Sequence, residues 1–290
     1  MARYRIGVDI GGTFTDFSVY DVETGRMQGL KTPTVPLDPV EGLAAGFDAL
    51  VKERGIALAE VEYFVHGTTI AVNTLIERKG ARLAMLVTEG FRDLLIIQRL
   101  HVPRPQYWWG DRAAPLIPRE RVYEIHERLR ADGTVHRPLD ANSIRAAIAL
   151  AKAAGVEGLV VCFLHAFRNP EHERAARRII EQEAPELLVC CSSEIWPRMR
   201  EYERAIISIV NGYVMPRVAG YLGKLEGRLQ ALGLPAVPFI TQSNGGVMTA
   251  RRARGVPAET LLSGPASGVI GAIHAAMQDG IGDIVTLDIG

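Results

Sequence analysis

Residues 4–16 contain the feature that most constrains the fold, an apolar strand that meets a second strand at a double-glycine turn. The strand pattern of Tyr4–Ile10 ends at Gly11 and Gly12, and the chain leaves through Phe14–Tyr20. Glycines at such a turn let a ligand approach the backbone, and their N–H groups can face phosphate oxygens. The pattern therefore predicts a hairpin whose tip is either a phosphate-binding turn or an ordinary two-glycine turn with solvated polar residues.

Polar side chains flank this turn on both sides. Thr13 and Thr15 supply hydroxyl donors, and Asp9 and Asp16 supply carboxylates. Mg²⁺ keeps several of its waters and takes one or two carboxylates from a protein. If the turn binds phosphate, either aspartate is a candidate ligand of a hydrated magnesium ion.

The end of the chain repeats the start of this pattern. Val285–Gly290, like Gly7–Gly11, is an apolar strand pattern that runs into Asp-Ile-Gly. Two such strand ends predict two related half-domains, each offering a phosphate turn to a shared cleft. The second turn stops at its first glycine, so we expect an N-terminal portion of a longer protein, truncated at the second phosphate turn.

Composition excludes several classes of protein. With 290 residues, 48% hydrophobic and 23% charged, the chain is typical of a globular protein with one or two domains. A formal net charge of +0 gives no attraction to nucleic acid or acidic membranes. Three cysteines indicate buried thiols in a reducing compartment rather than a disulfide framework. We see no signal peptide and no apolar run of bilayer length, and we expect a cytoplasmic protein.

The first hundred residues predict the element order β-β-β-α-β-α-β-α. The predicted elements are strands 3–10, 14–20 and 26–31, helix 40–54, strand 61–65, helix 70–78, strand 83–88 and helix 91–97. A three-strand meander extended by βα crossovers is the half-domain plan of the actin-like ATPase (ribonuclease H-like) fold. Residues 1–100 are therefore predicted to form a first actin-like half-domain.

Residues 101–290 are predicted to form a second region. It opens with a proline-rich segment around Tyr107-Trp108-Trp109, which is either a lid or contact loop or a local packing plug. Alternating helices and strands follow, together with a long helix over 201–232 that Pro216 kinks or interrupts. The region ends with the start of a second half-domain.

Two further segments are candidate ligand sites. His66-Gly67-Thr68-Thr69 lies where a strand meets a helix N-terminus, and Asn73 follows one turn later. Such an N-terminus binds anions, and His66 can donate a hydrogen bond or accept a proton near neutral pH. The alternative is a threonine-capped helix with a packed histidine.

Asn244 and Gly245 end a strand, and Ser263 and Gly264 begin a helix where a nucleotide can lie against the backbone. The alternative for each pair is a turn or a cap without a ligand. The chain has no P-loop, no Gly-x-Gly-x-x-Gly fingerprint and no Gly-x-Ser-x-Gly elbow. His165 and His172 lack a His-Glu-x-x-His frame, so we interpret them as structural.

Taken together, these segments resemble the hydantoinase/5-oxoprolinase family, specifically its A-type ATP-binding subunit. The segments that carry the resemblance, in chain order, are 7–16 (GVDIGGTFTD), 66–73 (HGTTIAVN) with Glu77-Arg78, 90–93 (GFRD), 169–173 (NPEHE), 200–204 (REYER), 243–246 (SNGG) and 263–266 (SGPA). They span nearly the whole chain. The family pattern continues after Asp-Ile-Gly290 into Gly-Thr-x-x-Asp, so this chain has an incomplete second turn.

The resemblance implies an actin-like ATPase fold and Mg·ATP-dependent opening of a cyclic amide such as 5-oxoproline or a hydantoin. It also implies a larger B-type partner subunit and a hetero-oligomer. Phosphorylation of the amide oxygen would turn a poor electrophile into one that water can attack, with catalysis arising mostly from positioning and charge neutralisation.

On this hypothesis each candidate residue has a role. Asp9 and Asp288 are assigned to catalysis by orienting hydrated Mg²⁺, and His66 is the third catalytic candidate. The nucleotide-binding candidates are Gly11, Gly12, Thr13, Thr15, Ser263, Gly264 and Gly290. The substrate-binding candidates are Gly67, Thr68, Thr69, Asn73, Asn244 and Gly245.

Other functions remain open at this point. Ketone carboxylase subunits belong to the same family and would differ by their dependence on bicarbonate. A small-molecule kinase of the same fold would need a carboxylate base, for which Asp16 or Asp93 is available. A non-enzymatic ATP-binding module would bind nucleotide without depending on any small substrate.

Overall fold

The computed structural model describes residues 3–11, 13–35, 38–100 and 113–287. The chain forms two compact units, residues 1–78 with 217–290 and residues 79–216. This division differs from the predicted boundary between residues 100 and 101, because the strand over 83–88 pairs with strands of the second unit rather than with the N-terminal sheet. The Tyr107-Trp108-Trp109 cluster lies outside the described residues.

The first unit is built on a six-stranded sheet in the order β12-β11-β4-β1-β2-β3. Its strands are β1 (Tyr4–Ile10), β2 (Phe14–Asp21), β3 (Arg26–Pro33), β4 (Val61–Gly67), β11 (Pro238–Thr241) and β12 (Val247–Thr249). The first three form an antiparallel meander, and β4 and β11 add to it in parallel with β1. The helices are α1 (Pro39–Arg54), α2 (Ile70–Ile76), α8 (Ala250–Gly255) and α9 (Ser263–Gln278).

The core of this unit consists of the buried side chains of its strands and the helix that packs on them. In β1 and β2 every second residue is buried, as the two-residue period of a half-exposed strand requires. Helix α1 packs against β2 and β3, and Phe17, Phe47 and Phe64 form an aromatic cluster beneath it. The helix ends at Gly55, whose left-handed backbone (φ 67°) closes the last turn.

The second unit is built on a four-stranded parallel sheet in the order β10-β9-β5-β6. Its elements are β5 (Leu83–Thr88), α3 (Leu94–Ile97), β6 (Val122–Ile125), β7 (Arg128–Leu129), β8 (Val135–Arg137), α4 (Ala141–Ala153), β9 (Gly158–Cys162), α5 (Glu171–Glu183), β10 (Leu188–Cys191) and α6 (Ser192–Ile195). Strands β5 and β9 are buried along their whole length, which is typical of parallel sheets covered on both faces. All three cysteines of the chain are free and buried here, as predicted, and burial raises the pKa of Cys162 and Cys190 to about 11.

Helix α7 (Glu201–Ala231) is continuous across Pro216, so of the two predicted effects of this proline, a kink or an interruption, the interruption does not occur. By length and composition alone α7 could cross a membrane, which corrects the expectation that no apolar segment has this length. However, 56% of its most apolar window is buried inside the protein. Burial of that extent is typical of a core helix.

The predicted order of the first eight elements is confirmed, whereas the described part of the predicted C-terminal strand, residues 285–287, is not a strand. Residues 281–287 have no regular secondary structure, and Val285 is 97% exposed. A strand is stable only when its backbone groups pair with a neighbour, and no described strand pairs with this segment. Asp288 and Gly290 lie outside the described residues.

Candidate functional site

A cavity of about 340 Å³ opens in the first unit where β1 and β4 approach their carboxyl ends. Strands β1, β2, β4 and β11 and the start of α9 contribute its lining, which is Gly7, Val8, Asp9, Asp16, Ser18, Val65, Gly67, Thr241, Gly264, Ser267 and Gly268. Ligands of open α/β sheets commonly bind beyond the carboxyl ends of the strands. The cavity brings together the predicted residues Asp9, Gly67 and Gly264.

Two carboxylates face each other on one side of this cavity. Asp9 and Asp16 are directly opposite in the antiparallel register of β1 and β2, and both side chains are exposed to the cavity. Like charges in such a cross-strand pair destabilise the sheet. Lys31 Nζ lies 3.1 Å from Asp16 Oδ1 and offsets part of this repulsion. The arrangement favours a bound cation.

Gly67 leaves room for the carboxylate of Asp9, because it has no side chain. A Cβ at position 67 would lie 3.1 Å from Asp9 Oδ1, so any larger residue there would press on the carboxylate. Asp9 and Asp16 fit the one or two carboxylates that hydrated Mg²⁺ takes. Within the described part of the chain, no group of three or more His, Cys, Asp or Glu side chains could hold a metal ion.

The N-terminus of α9 forms the facing wall. This helix has 16 residues, and the first N–H groups of a helix lack intrahelical partners and carry partial positive charge. A Cβ on Gly264 or Gly268 would meet no atom within 4 Å, so the backbone is open to a ligand. Thr241 Oγ1 and Ser263 Oγ are buried without a hydrogen-bond partner. Two unsatisfied hydroxyls beside a helix N-terminus are suited to phosphate oxygens.

At the hairpin tip the two predicted threonines have different surroundings. Thr13 is exposed, whereas Thr15 is fully buried. The Thr34 hydroxyl donates to the Gly11 carbonyl (2.9 Å), so the Thr15 hydroxyl donates to Thr34 Oγ1 (3.0 Å). Thr15 therefore stabilises the turn from its buried side. The phosphate-binding prediction requires its hydroxyl to line the cavity, and it does not. Gly12 lies outside the described residues.

His66 is fully buried, and both of its ring nitrogens have partners. Nδ1 donates to the Val8 carbonyl (3.3 Å), so Nε2 accepts from the Tyr221 hydroxyl (2.7 Å). Burial lowers the pKa of His66 to about 4, against the hydrogen bond to Val8, which raises it. The imidazole is therefore neutral at physiological pH and does not line the cavity. These contacts do not fit the predicted catalytic role. Instead, the hydrogen bonds of His66, which lies on β4, connect this strand to β1 and α7.

The other substrate-binding candidates lie around the cavity rather than on its lining. Thr68 accepts from the Ile70 N–H (3.3 Å), and Thr69 accepts from the Asn73 amide (3.4 Å), so both hydroxyls contact the start of α2. Asn244 and Gly245 form the turn between β11 and β12. Their predicted contact with a substrate stays a prediction.

Sequence reasoning left several lining residues out of the proposed site. The predicted metal site contains Asp9 and Asp288 but not Asp16, although the hairpin register that sets Asp16 opposite Asp9 follows from the sequence. Ser267 and Gly268 lie one turn after Ser263 and Gly264 on the same helix face. Thr241 ends β11, whose position beside β4 is visible only in the folded chain.

Comparisons with known proteins place this chain in a family. Residues 5–184 match the hydantoinase/oxoprolinase N-terminal region, and residues 204–290 match the hydantoinase/oxoprolinase domain. The chain belongs to the hydantoinase/oxoprolinase family. The resemblance inferred from the sequence motifs is thereby confirmed.

Three relatives show the range of this family. The chain is 33% identical to caprolactamase subunit alpha of Pseudomonas jessenii, over 99% of this chain and 42% of the relative. The crystal structure of ATP-dependent caprolactamase from that organism superposes with a TM-score of 0.88 at 32% identity, covering 99% of this chain and 42% of the other. The nucleotide-free structure of acetone carboxylase superposes with a TM-score of 0.87 at 28% identity, covering 97% and 41%. The 5-oxoprolinase of Saccharomyces cerevisiae is 29% identical over 92% of this chain and 23% of the relative.

These relatives define what the family does at a coarse level. It contains ATP-dependent amidohydrolases and ATP-dependent ketone carboxylases. The mixed α/β fold of this chain, with its parallel strands, matches the structures of caprolactamase and acetone carboxylase. Several members are named as subunits of larger enzymes. The chain spans less than half the length of the relatives it matches.

Proposed function

We propose that this chain is the ATP-binding part of an enzyme that opens a cyclic amide of the hydantoin or 5-oxoproline type at the expense of ATP. The observation that carries the proposal is the cavity that sets Asp9 and Asp16 opposite the N-terminus of α9. One wall attracts a cation and the other attracts phosphate oxygens, which is what Mg·ATP requires. The ATP-dependent relatives support the ATP dependence, and the amidohydrolases among them support the amide class.

The actin-like ATPase fold is part of this proposal. The meander β1-β2-β3 extended in parallel by β4 and β11 supports it, because the order of these strands agrees with the half-domain plan. On this basis Gly11 and Thr13 contribute the first phosphate turn, together with Gly12. Asp288 and Gly290 would contribute to the second turn.

The chemistry follows from the low reactivity of an amide. Transfer of the γ-phosphoryl group forms a bond from the amide oxygen to phosphorus and breaks the bond to the ADP oxygen, which leaves an activated carbon. Water then adds to that carbon, and the C–N bond breaks, which opens the ring to a free amine and an acyl phosphate. A second water cleaves the acyl phosphate to a carboxylate and inorganic phosphate. A bound Mg²⁺ would supply charge neutralisation on the phosphates, held by Asp9 and Asp16. Backbone N–H groups of α9 orient the nucleotide, and His66 keeps the ends of β1 and β4 in place.

A partner subunit is the second component of the proposal. Caprolactamase subunit alpha and acetophenone carboxylase gamma subunit are named as parts of multi-subunit enzymes. We propose a larger B-type subunit, or a fused B-type region, that supplies the activation of water.

Ketone carboxylation is the alternative that an observation favours. Acetone carboxylase superposes nearly as well as caprolactamase, with TM-scores of 0.87 and 0.88. A kinase is less well supported, because one of its two candidate bases, Asp93, is paired with Arg119, which lowers the pKa of the carboxylate, and does not line the cavity. A carboxylase would consume bicarbonate together with a ketone.

The test is phosphate release from Mg·ATP by the full-length protein, with and without its partner, in the presence of 5-oxoproline, hydantoins or small ketones. We expect stimulation by a cyclic amide with ring-opened product forming in step. Stimulation by a ketone only with bicarbonate would establish the carboxylase instead. Tight ATP binding without stimulation by any compound would contradict both.

The site assignment is tested by Asp9→Asn. We expect turnover to fall by at least about a hundredfold, the scale of losing one charge-stabilising group. Because the change also removes half of a repulsive carboxylate pair, the melting temperature should not fall. Asp48→Asn on the exposed face of α1 is the matched control and should leave turnover unchanged. Near-normal turnover in the Asp9 variant would refute the assignment.

A further inference from the structure

The parallel sheet of the second unit has a topological switch point of its own. Numbered along the chain, its strands β5, β6, β9 and β10 lie in the order 2-1-3-4. From β5 the chain continues to β6 on one side of β5, and from β6 it crosses to β9 on the other side of β5. The crevice therefore opens between β5 and β9. In doubly wound sheets of this order, ligands bind at the carboxyl ends of the strands beside that crevice.

A cavity of about 750 Å³ lies at this edge of the sheet. Its lining includes Glu89 directly after β5, Glu127 after β6 and His165 after β9, and the β7–β8 hairpin adds Arg128, His136 and Arg137. The volume falls within the range of small-molecule sites, roughly 300–1,000 Å³. All of these residues belong to the second unit, whereas Asp9 belongs to the first.

Two arginines of the hairpin oppose each other. Arg128 and Arg137 are partners in the antiparallel register of β7 and β8, and both line the cavity. Directly opposed like charges destabilise a strand pair. Arg137 is relieved by an ion pair with Glu89. Arg128 stacks on the Phe91 ring (5.1 Å to its centroid) and makes no ion pair within the described part of the chain. Its charge remains available to a ligand.

A third arginine, Arg130, determines which ring nitrogen of the neutral His136 side chain carries the proton. Arg130 Nη2 lies 3.2 Å from His136 Nδ1, and an arginine only donates, so Nδ1 accepts and the proton of the neutral ring is on Nε2. Arg130 and His136 both line the cavity. The hairpin therefore presents the Arg128 guanidinium and the His136 Nε2–H, neither of which donates to an acceptor in the described part of the chain.

The floor of the cavity is held rigidly. The buried carboxylate of Glu127 accepts from the Thr88 hydroxyl and lies 2.6 Å from His172 Nδ1, and the Leu164 N–H donates to Thr88 Oγ1 (3.0 Å). These bonds join the ends of β5, β6 and β9 to α5. His165 beside them has a left-handed backbone (φ 56°), a conformation that costs energy outside glycine and is common at ligand sites.

We propose that this cavity binds a small oxyanion, either a carboxylate or a phosphate, between Arg128 and the His136–Arg137 strand. Three arginines and two glutamates line the cavity, and one of those glutamates is buried in its floor. Positive side chains therefore outnumber negative ones. Guanidinium groups match the planar oxygens of carboxylates and phosphates. The ligand relieves the repulsion between Arg128 and Arg137. This site is independent of the proposed ATP site and of the amide reaction.

The test is calorimetric titration of the intact chain with inorganic phosphate and, separately, with succinate, at ionic strength held constant with sodium chloride. We expect Arg128→Gln to weaken binding at least about tenfold, since a charge-assisted hydrogen bond is lost. Arg178→Gln is the matched control, because Arg178 is exposed on α5 and pairs with Glu171 away from the cavity. Binding by only one of the two probes identifies which oxyanion the site takes.

A second variant separates loss of binding from loss of folding. Glu89→Gln frees Arg137 from its ion pair, so we expect the same anion to bind several-fold more tightly. A misfolded protein cannot show that gain. Absence of binding by both probes, or equal affinity in the wild type and in the Arg128 and Glu89 variants, would overturn the proposal.

Discussion

At the scale of single residues, burial decides what His66 can do. A histidine beside a glycine-rich turn has the residue type of an acid or base, but both ring nitrogens are occupied by Val8 and Tyr221. With its pKa lowered to about 4, the ring is neutral in the folded protein. Its contribution is structural, since it ties the strands that carry Asp9 and Gly67 to α7.

This arrangement predicts a pH dependence of stability. The pKa of His66 is about 4 in the folded protein and 6.5 unperturbed. Between these values the unfolded chain binds a proton that the folded chain does not, so stability is full above pH 6.5 and falls as the pH drops to 4. The loss amounts to about 3 kcal/mol. Urea unfolding at pH 7 and pH 4 should show a smaller drop for His66→Gln than for the wild type.

Two variants control this measurement. His274→Gln removes an exposed histidine of α9 and should keep the full wild-type drop. Tyr221→Phe leaves the buried Nε2 without a donor and should cost about 1–3 kcal/mol at pH 7. An identical pH dependence in wild type and His66→Gln would show that the imidazole is not held neutral.

At the scale of elements, a glycine in α1 sets how closely the helix lies on the sheet. A Cβ on Gly46 would overlap the ring of Phe17, which is 1% exposed in the core. Gly46→Ala should therefore destabilise the protein by about 1–3 kcal/mol through overpacking. Gly220→Ala on α7, where a Cβ meets nothing within 4 Å, should stabilise it by about 0.5–1 kcal/mol. Urea midpoints that shift in the same direction for both variants would contradict this packing.

At the scale of the whole molecule, the second unit is an insertion whose two ends meet. The Ala81 N–H donates to the Tyr213 carbonyl (2.9 Å), and the unit has its own core around Leu86, Leu159 and Ile180. On the opposite face of the sheet, Gly212 of α7 lies against Leu83, Val160 and Cys190. Adjacent ends and a separate core are what an independently folding segment requires.

We therefore expect the isolated segment 79–216 to fold. It should show a single cooperative thermal transition by circular dichroism. The shorter segment 79–200 lacks the first half of α7, which leaves one sheet face uncovered, and it should show no such transition. A non-cooperative melt of the longer segment would indicate that the unit depends on the rest of the chain.

The sequence alone determined the local features of this protein. The β1–β2 hairpin, the glycine end of α1 and the order of the first eight elements follow from turn chemistry and periodicity, which involve residues close together in the chain. The same locality brings Asp9 and Asp16 opposite each other. The family motifs were equally readable, because each is a short contiguous segment.

Only the tertiary structure decided which of these residues meet. Asp9, Gly67, Thr241 and Gly264 come from four separate elements, and no spacing in the sequence encodes their common cavity. The same holds for the burial of His66 beneath Tyr221 and for the choice of β5 to pair with β9 rather than with the first sheet. Strand partners and buried surfaces are selected by long-range packing, in which many distant contacts compete and local propensity has little influence.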